Sequence, residues 1–113
     1  MGKYYNIDQV REIAGGDESF VEVIVDTFLS EIPPDLQQMQ TAIENDNHRM
    51  AYQFAHKMKP NLEMFGIDLQ KQIRAMEKWS ESNRPTSAIQ SQLDEITHTL
   101  THAIEEIKSD FNK

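Results

Sequence analysis

Ala55-His56-Lys57-Met58-Lys59-Pro60-Asn61-Leu62-Glu63-Met64-Phe65-Gly66 is the stretch on which the fold turns. Together with the residues just before it, it places Ala51, Phe54, Ala55, Met58, Leu62 and Phe65 at helical spacing, so they define one buried face. At about 100° per residue, His56 points about 160° away from Met58 at the centre of that face. Lys59 and Glu63 follow on the polar side. A histidine held on a rigid helix and turned to water does not fill a core. The helix is expected to run from about His48 to Phe65, with Pro60 in its interior and Gly66 at its end. Proline there removes the hydrogen bond to the His56 carbonyl, so a local kink or widened turn is expected.

The same period recurs on both sides. Upstream, Val21, Ile24, Val25, Phe28, Ile32, Leu36, Met39 and Ile43 keep a helical spacing across Pro33-Pro34. That run reads as two nearly collinear segments or one kinked helix, capped by Asp17 and closed by the turn Glu44-Asn45-Asp46-Asn47. A short helix from Gln9 to Ala14 is expected before it, capped by Asp8 and stopped by Gly15-Gly16, with residues 1–6 as a tail. Downstream, a helix beginning at Ile67-Asp68 buries Leu69, Ile73, Met76 and Trp79 or Ser80. Ser80 to Ser87, with Asn83, Arg84 and Pro85, is the clearest loop. The last helix carries Ile89, Leu93, Ile96, Leu100, Ile104, Ile107 and Phe111, and Ser87 to Gln90 could form a capping box at its start. No segment alternates with period two. The expected fold is all-α: an antiparallel four-helix bundle with a short accessory N-terminal helix.

The 113 residues suit a single domain with one core. A formal charge of −8 argues against nucleic acid or an anionic membrane as partner. The absence of cysteine excludes disulfides, thiolate metal sites and cysteine nucleophiles. No apolar run reaches the ~20 residues of a membrane span, no signal peptide opens the chain, and the sixth position lacks the Ser or Thr of a myristoylation signal. A cytoplasmic, monomeric protein is expected. There is no Gly-rich phosphate loop and no nucleotide-binding motif, so the chain is not expected to use ATP itself.

His98 and His102 stand one helical turn apart and could offer two imidazoles to a metal, but the glutamate of a metalloprotease motif is missing and both are expected on a solvent face. His48, near a helix start, points to nothing specific. Met50, Met58, Met64 and Met76 read as core or rim packing. His56 differs by its company. An exposed imidazole offers a nitrogen nucleophile near neutral pH, Lys59 one turn on could pair with an anion carried there, and Lys57 adds positive charge nearby. By spacing alone, His-x-x-Lys occurs on many surface helices.

Ala55-His56-Lys57-Met58-Lys59, followed by Phe65-Gly66, resembles the signature of histidine-containing phosphotransfer (HPt) domains, which reads Ala-His-x-Leu-Lys-Gly and closes with an apolar residue and a glycine ten residues after the histidine. Met58 takes the apolar position, Lys59 the lysine and Gly66 the closing glycine. Pro60 stands where the family usually has glycine. The resemblance spans the chain from the helix after Gly16 to the last helix.

It implies a phosphorelay. His56 would accept a phosphoryl group from the phosphoaspartate of a receiver domain, in a response regulator or hybrid histidine kinase, and pass it to another receiver aspartate. Lys59 would stabilise charge on the phosphoryl oxygens. No cofactor is expected on this chain, and Mg²⁺ is expected on the receiver. Tyr52, Gln53, Lys57, Pro60, Glu63 and Met64 are the expected docking residues, with Tyr52, Pro60 and Met64 offering exposed apolar contact. The alternative is a non-catalytic helical adaptor that binds a receiver or other partner without accepting phosphate.

Overall fold

In a computed structural model, which describes residues 4–113, five helices follow one another: α1 (Asp8–Ile13), α2 (Glu18–Glu44), α3 (His48–Met64), α4 (Gln70–Ser80) and α5 (Gln90–Asp110), with a 3₁₀ turn, Thr86–Ile89, leading into α5. No strand is present among the described residues. The long helices run antiparallel. Asp35 meets Lys57, Glu31 meets Asn61 and Phe28 packs against Phe65, a descending register between α2 and α3. Tyr52 with Glu77 joins α3 to α4, and Gln72 with Glu95 joins α4 to α5. Lys113 on Glu22 and Asp26, together with Gln40 on Thr97, closes the ring from α5 back to α2. The body measures 47 × 21 × 21 Å, the proportions set by the length of α2.

The core is the apolar stripe of each helix. Val21, Val25, Phe28, Ile32, Leu36 and Met39 of α2 are buried, as are Ala51, Ala55, Met58 and Leu62 of α3, and Leu93, Ile96, Leu100 and Ile107 of α5. From α4, Ile73, Met76 and Trp79 enter, so the alternative at Ser80 is decided for the tryptophan. Ile24, Ile43, Phe54, Ile104 and Phe111 lie at the rim, half-buried against this core.

Both prolines of α2 are absorbed into one continuous helix rather than two segments. Pro34 is exposed and Pro33 half-buried, so the carbonyls they leave without a ladder partner lie on the wetter side. α3 likewise stays α-helical through the exposed Pro60, and the expected widened turn is not present. In both helices the buried stripe continues on either side of the proline and holds the axis in register.

The ends differ more from expectation. The first helix starts at Asp8, and the side chain that accepts from its N–H is that of Asn6, at 2.8 Å. Residues 4–6 are not a tail: Tyr5 is buried with its hydroxyl donating to Asp110 at 2.6 Å, and the Asn6 amide donates to the Phe65 carbonyl at 2.8 Å. Residues 1–3 lie outside the described residues. Asp17 caps α2 as expected, accepting from the amides of Ser19 and Phe20. α4 begins at Gln70, after Ile67 and Leu69 have turned into the core from a non-helical corner. The capping box at Ser87 is replaced by the 3₁₀ turn, because Pro85 enters it with an extended backbone (ψ 164°).

Among the described residues one charged side chain, Asp35, is buried, at 5 % exposure. It accepts from the Lys57 ammonium at 2.7 Å, and that hydrogen bond raises the Lys57 pKa above its ordinary value. The folded state thus favours charged Lys57. Its contribution is complete at neutral pH and is lost as pH rises past the ordinary lysine range. Lys57→Ala strands the Asp35 carboxylate without this donor. The expected result is a lower urea midpoint at pH 7, with Asp35→Asn/Lys57→Ala recovering part of the loss.

Candidate functional site

Between α3 and α4, beside His56, lies a cavity of about 140 Å³ lined by Tyr52, His56 and Lys59 from α3 and by Gln70, Ile73, Arg74 and Glu77 from α4. His56 itself is exposed. The reason is local: Ala55 and Met58 on either side in sequence are fully buried, which fixes the rotation of the helix and turns the intervening imidazole outwards. Tyr52, one turn before, packs its ring against the imidazole at 5.7 Å between centroids and donates its hydroxyl to Glu77 Oε2 at 3.1 Å. Partial burial and that hydrogen bond push the Tyr52 pKa up, so the phenol stays protonated and keeps donating. The side of the cavity is therefore a fixed link between the two helices.

Lys59, one turn after His56, is half-buried along its stem and reaches Glu63 Oε1 at 3.8 Å. On α4, Gln70, Arg74 and Glu77 succeed one another at helical spacing and form one stripe facing the cavity. Arg74 has no ion-pair partner among the described residues. An exposed nitrogen nucleophile thus stands beside an ammonium, a guanidinium and an amide, a set that suits a phosphate-sized anion.

The expected docking residues are placed unevenly. Gln53 and Pro60 are exposed on either side of His56, and Glu63 is exposed at the end of the row. Tyr52 and Met64 are half-buried rather than exposed, since both pack against the core. Lys57 is exposed, but its ammonium is drawn to Asp35 on α2, away from the α3–α4 cavity. Gln70, Arg74 and Glu77 were not expected from the sequence. Their spacing was a usable signal, because a short connection makes α4 the neighbour of α3 and its polar stripe must face somewhere near His56.

The other histidines are engaged elsewhere. His48 stacks on Trp79 at 3.9 Å, with its ring nitrogens against the carbonyls of Asp46 and Arg84 at 3.2 and 2.8 Å. It thereby joins the α2–α3 turn to the loop after α4. His98 and His102 lie 4.2 Å apart between ring centroids, and Tyr4 packs on both. His102 is half-buried rather than exposed, because the N-terminal segment covers it. Among the described residues no group of three or more histidine or carboxylate side chains is placed to hold a metal ion. Met58 and Met76 are core, Met64 is at the rim, and Met50 is exposed.

No helix among the described residues is long and apolar enough to cross a membrane. Neither the curated proteins nor the solved structures contain a match to the chain. A family model described as the Hpt domain matches residues 23–110, which takes in most of α2, all of α3 and α4, and α5 to its last residue. With that match over most of its length, and with an outward histidine on the second long helix of an antiparallel bundle, the chain belongs to the Hpt domain family.

Proposed function

We propose that this protein is a phosphorelay intermediate that accepts a phosphoryl group on His56 from a receiver-domain phosphoaspartate and returns it to a receiver aspartate. The observation that carries this reading is the cavity between α3 and α4, where the exposed imidazole shares one small space with Lys59, Arg74 and Gln70. A ring nitrogen of His56 attacks phosphorus with its lone pair. The N–P bond forms as the P–O bond to the aspartate breaks, and the carboxylate keeps the bonding pair. In the onward step the receiver carboxylate forms the P–O bond, the N–P bond breaks, and the ring, protonated on its other nitrogen, leaves as neutral imidazole.

Phosphoryl transfer of this kind depends mainly on alignment and charge stabilisation. The rigid helix supplies the alignment. Lys59 and Arg74 approach the equatorial oxygens, and Gln70 adds a neutral donor. Mg²⁺ and the remaining catalytic groups belong to the receiver. The receiver docks over His56, with Tyr52, Gln53, Pro60, Glu63 and Met64 forming the α3 side of the contact. The relay operates in the cytoplasm, where receiver domains and histidine kinases meet.

The test is to mix the protein with a panel of receiver domains phosphorylated by acetyl phosphate and to look for acid-labile, alkali-stable phosphate on it. Failure to label with any receiver would instead favour the adaptor reading if binding persists. Lys59→Ala is expected to slow transfer by about 10- to 100-fold, and Arg74→Ala by about 10-fold, in stopped-flow or gel-based assays. Both figures are modest because the cavity is open to water, which screens each charge.

A further inference from the structure

Glu63 is not explained by the stability of the helix that carries it. It lies in the last turn of α3, where a carboxylate opposes the negative end of the helix dipole. It also follows Lys59 by four residues, the weaker of the two orders for such a pair. Its separation from Lys59, 3.8 Å, is at the loose end for an ion pair, and both side chains are nearly half exposed. The second carboxylate of the site, Glu77, is held in place by the Tyr52 hydroxyl. Glu63 accepts no such bond among the described residues, so its charge is available to Lys59 alone. The Lys59 ammonium therefore has two destinations, Glu63 on one side and the cavity that it shares with His56 on the other.

We propose that Glu63 sets the phosphoryl-transfer equilibrium by competing with the phosphoryl group for Lys59. The proposal rests on the reading of His56 as the acceptor. In the unphosphorylated protein Lys59 pairs with Glu63. When His56 carries the phosphoryl dianion, Lys59 turns into the cavity, and Glu63 is left without a partner. That penalty falls on the phosphorylated form only. It favours the step in which the N–P bond breaks, the ring nitrogen keeps the pair, and the phosphorus bonds to the receiver carboxylate oxygen. Glu63 thus makes the protein a readier donor and a less avid store.

The experiment equilibrates the full chain with a phosphorylated receiver domain and measures the ratio of phosphohistidine to phosphoaspartate. Exposed ion pairs are individually weak, so Glu63→Gln is expected to raise that ratio by about 2- to 5-fold. The thermal midpoint is expected to stay level or rise slightly, because an opposed charge leaves the helix end. In a Lys59→Ala background the same substitution is expected to leave the ratio unchanged, since nothing remains to compete for. An unchanged ratio in Glu63→Gln alone would overturn the proposal. So would a shift of equal size in the Lys59→Ala background, which would mean that Glu63 acts on the phosphoryl group directly. Absence of phosphohistidine in the wild-type protein would overturn the acceptor assignment itself, and it is seen before any variant is compared.

Discussion

Substituting glutamine for His56 is expected to reduce phosphoryl acceptance to background while leaving the fold intact. Glutamine keeps a polar, hydrogen-bonding side chain of similar reach and is a good helix former, but its amide nitrogen has no available lone pair. The imidazole is exposed, so the substitution opens no cavity and strands no buried group. Surface changes of this kind fall within about 0.5 kcal/mol of neutral. Circular dichroism and the thermal midpoint should therefore match the wild type, while acid-labile phosphate disappears. The other histidines offer no substitute. His48 is stacked on Trp79 with its nitrogens at backbone carbonyls, and His98 and His102 pack under Tyr4; among the described residues, no guanidinium or ammonium lines the pocket that His98 borders. Phosphate persisting on the His56→Gln protein would remove the foundation of the proposed relay.

The contrast among the four histidines also shows what could be read from the sequence. His56 was legible because its orientation follows from the helical stripe on which it sits: Ala55 and Met58 fix the rotation, and no distant contact is needed. The bundle was legible for the same reason, since each long helix keeps one apolar stripe and the short connections force antiparallel neighbours. The engagement of His48 by Trp79 and of His102 by Tyr4 was not, because each contact joins segments far apart in the chain. Asp35 was missed for a related reason. It follows Pro34 on a helix whose polar positions otherwise face water, and only the register between α2 and α3 shows that it meets Lys57. That same contact removes Lys57 from the cavity beside His56. Arg74 and Gln70 could have been found by asking which face α4 turns to α3, a question that needs pairing between helices as well as periodicity within one.

Gly66 is where a residue of the signature turns out to serve the fold, and its replacement is expected to have the largest effect on stability. It ends α3 in the left-handed conformation, φ +64°, with its amide donating to the Glu63 carbonyl at 3.1 Å and the Ile67 amide to the Leu62 carbonyl at 2.9 Å. This is the paired arrangement of a Schellman cap, with Leu62 and Ile67 both buried across it. A Cβ built on Gly66 would stand 2.8 Å from the Asn6 Cβ. Asn6 cannot easily give way, because its amide is bonded to the Phe65 carbonyl and its side chain to the Asp8 amide. Two penalties therefore combine in Gly66→Ala. The left-handed backbone costs about 1–2 kcal/mol for a residue with a Cβ, and the overpacking about 1–3 kcal/mol. The expected outcome is a loss of about 2–4 kcal/mol by urea unfolding, a large share of the stability of a domain this size. The two causes separate in a double mutant. In an Asn6→Gly background the clash is gone and the strained backbone remains, so Gly66→Ala should there cost only about 1–2 kcal/mol. Equal costs in the two backgrounds would show that the N-terminal segment does not press on this corner. Phosphoryl acceptance by the folded fraction should be retained in both, since Gly66 lies outside the cavity that holds His56.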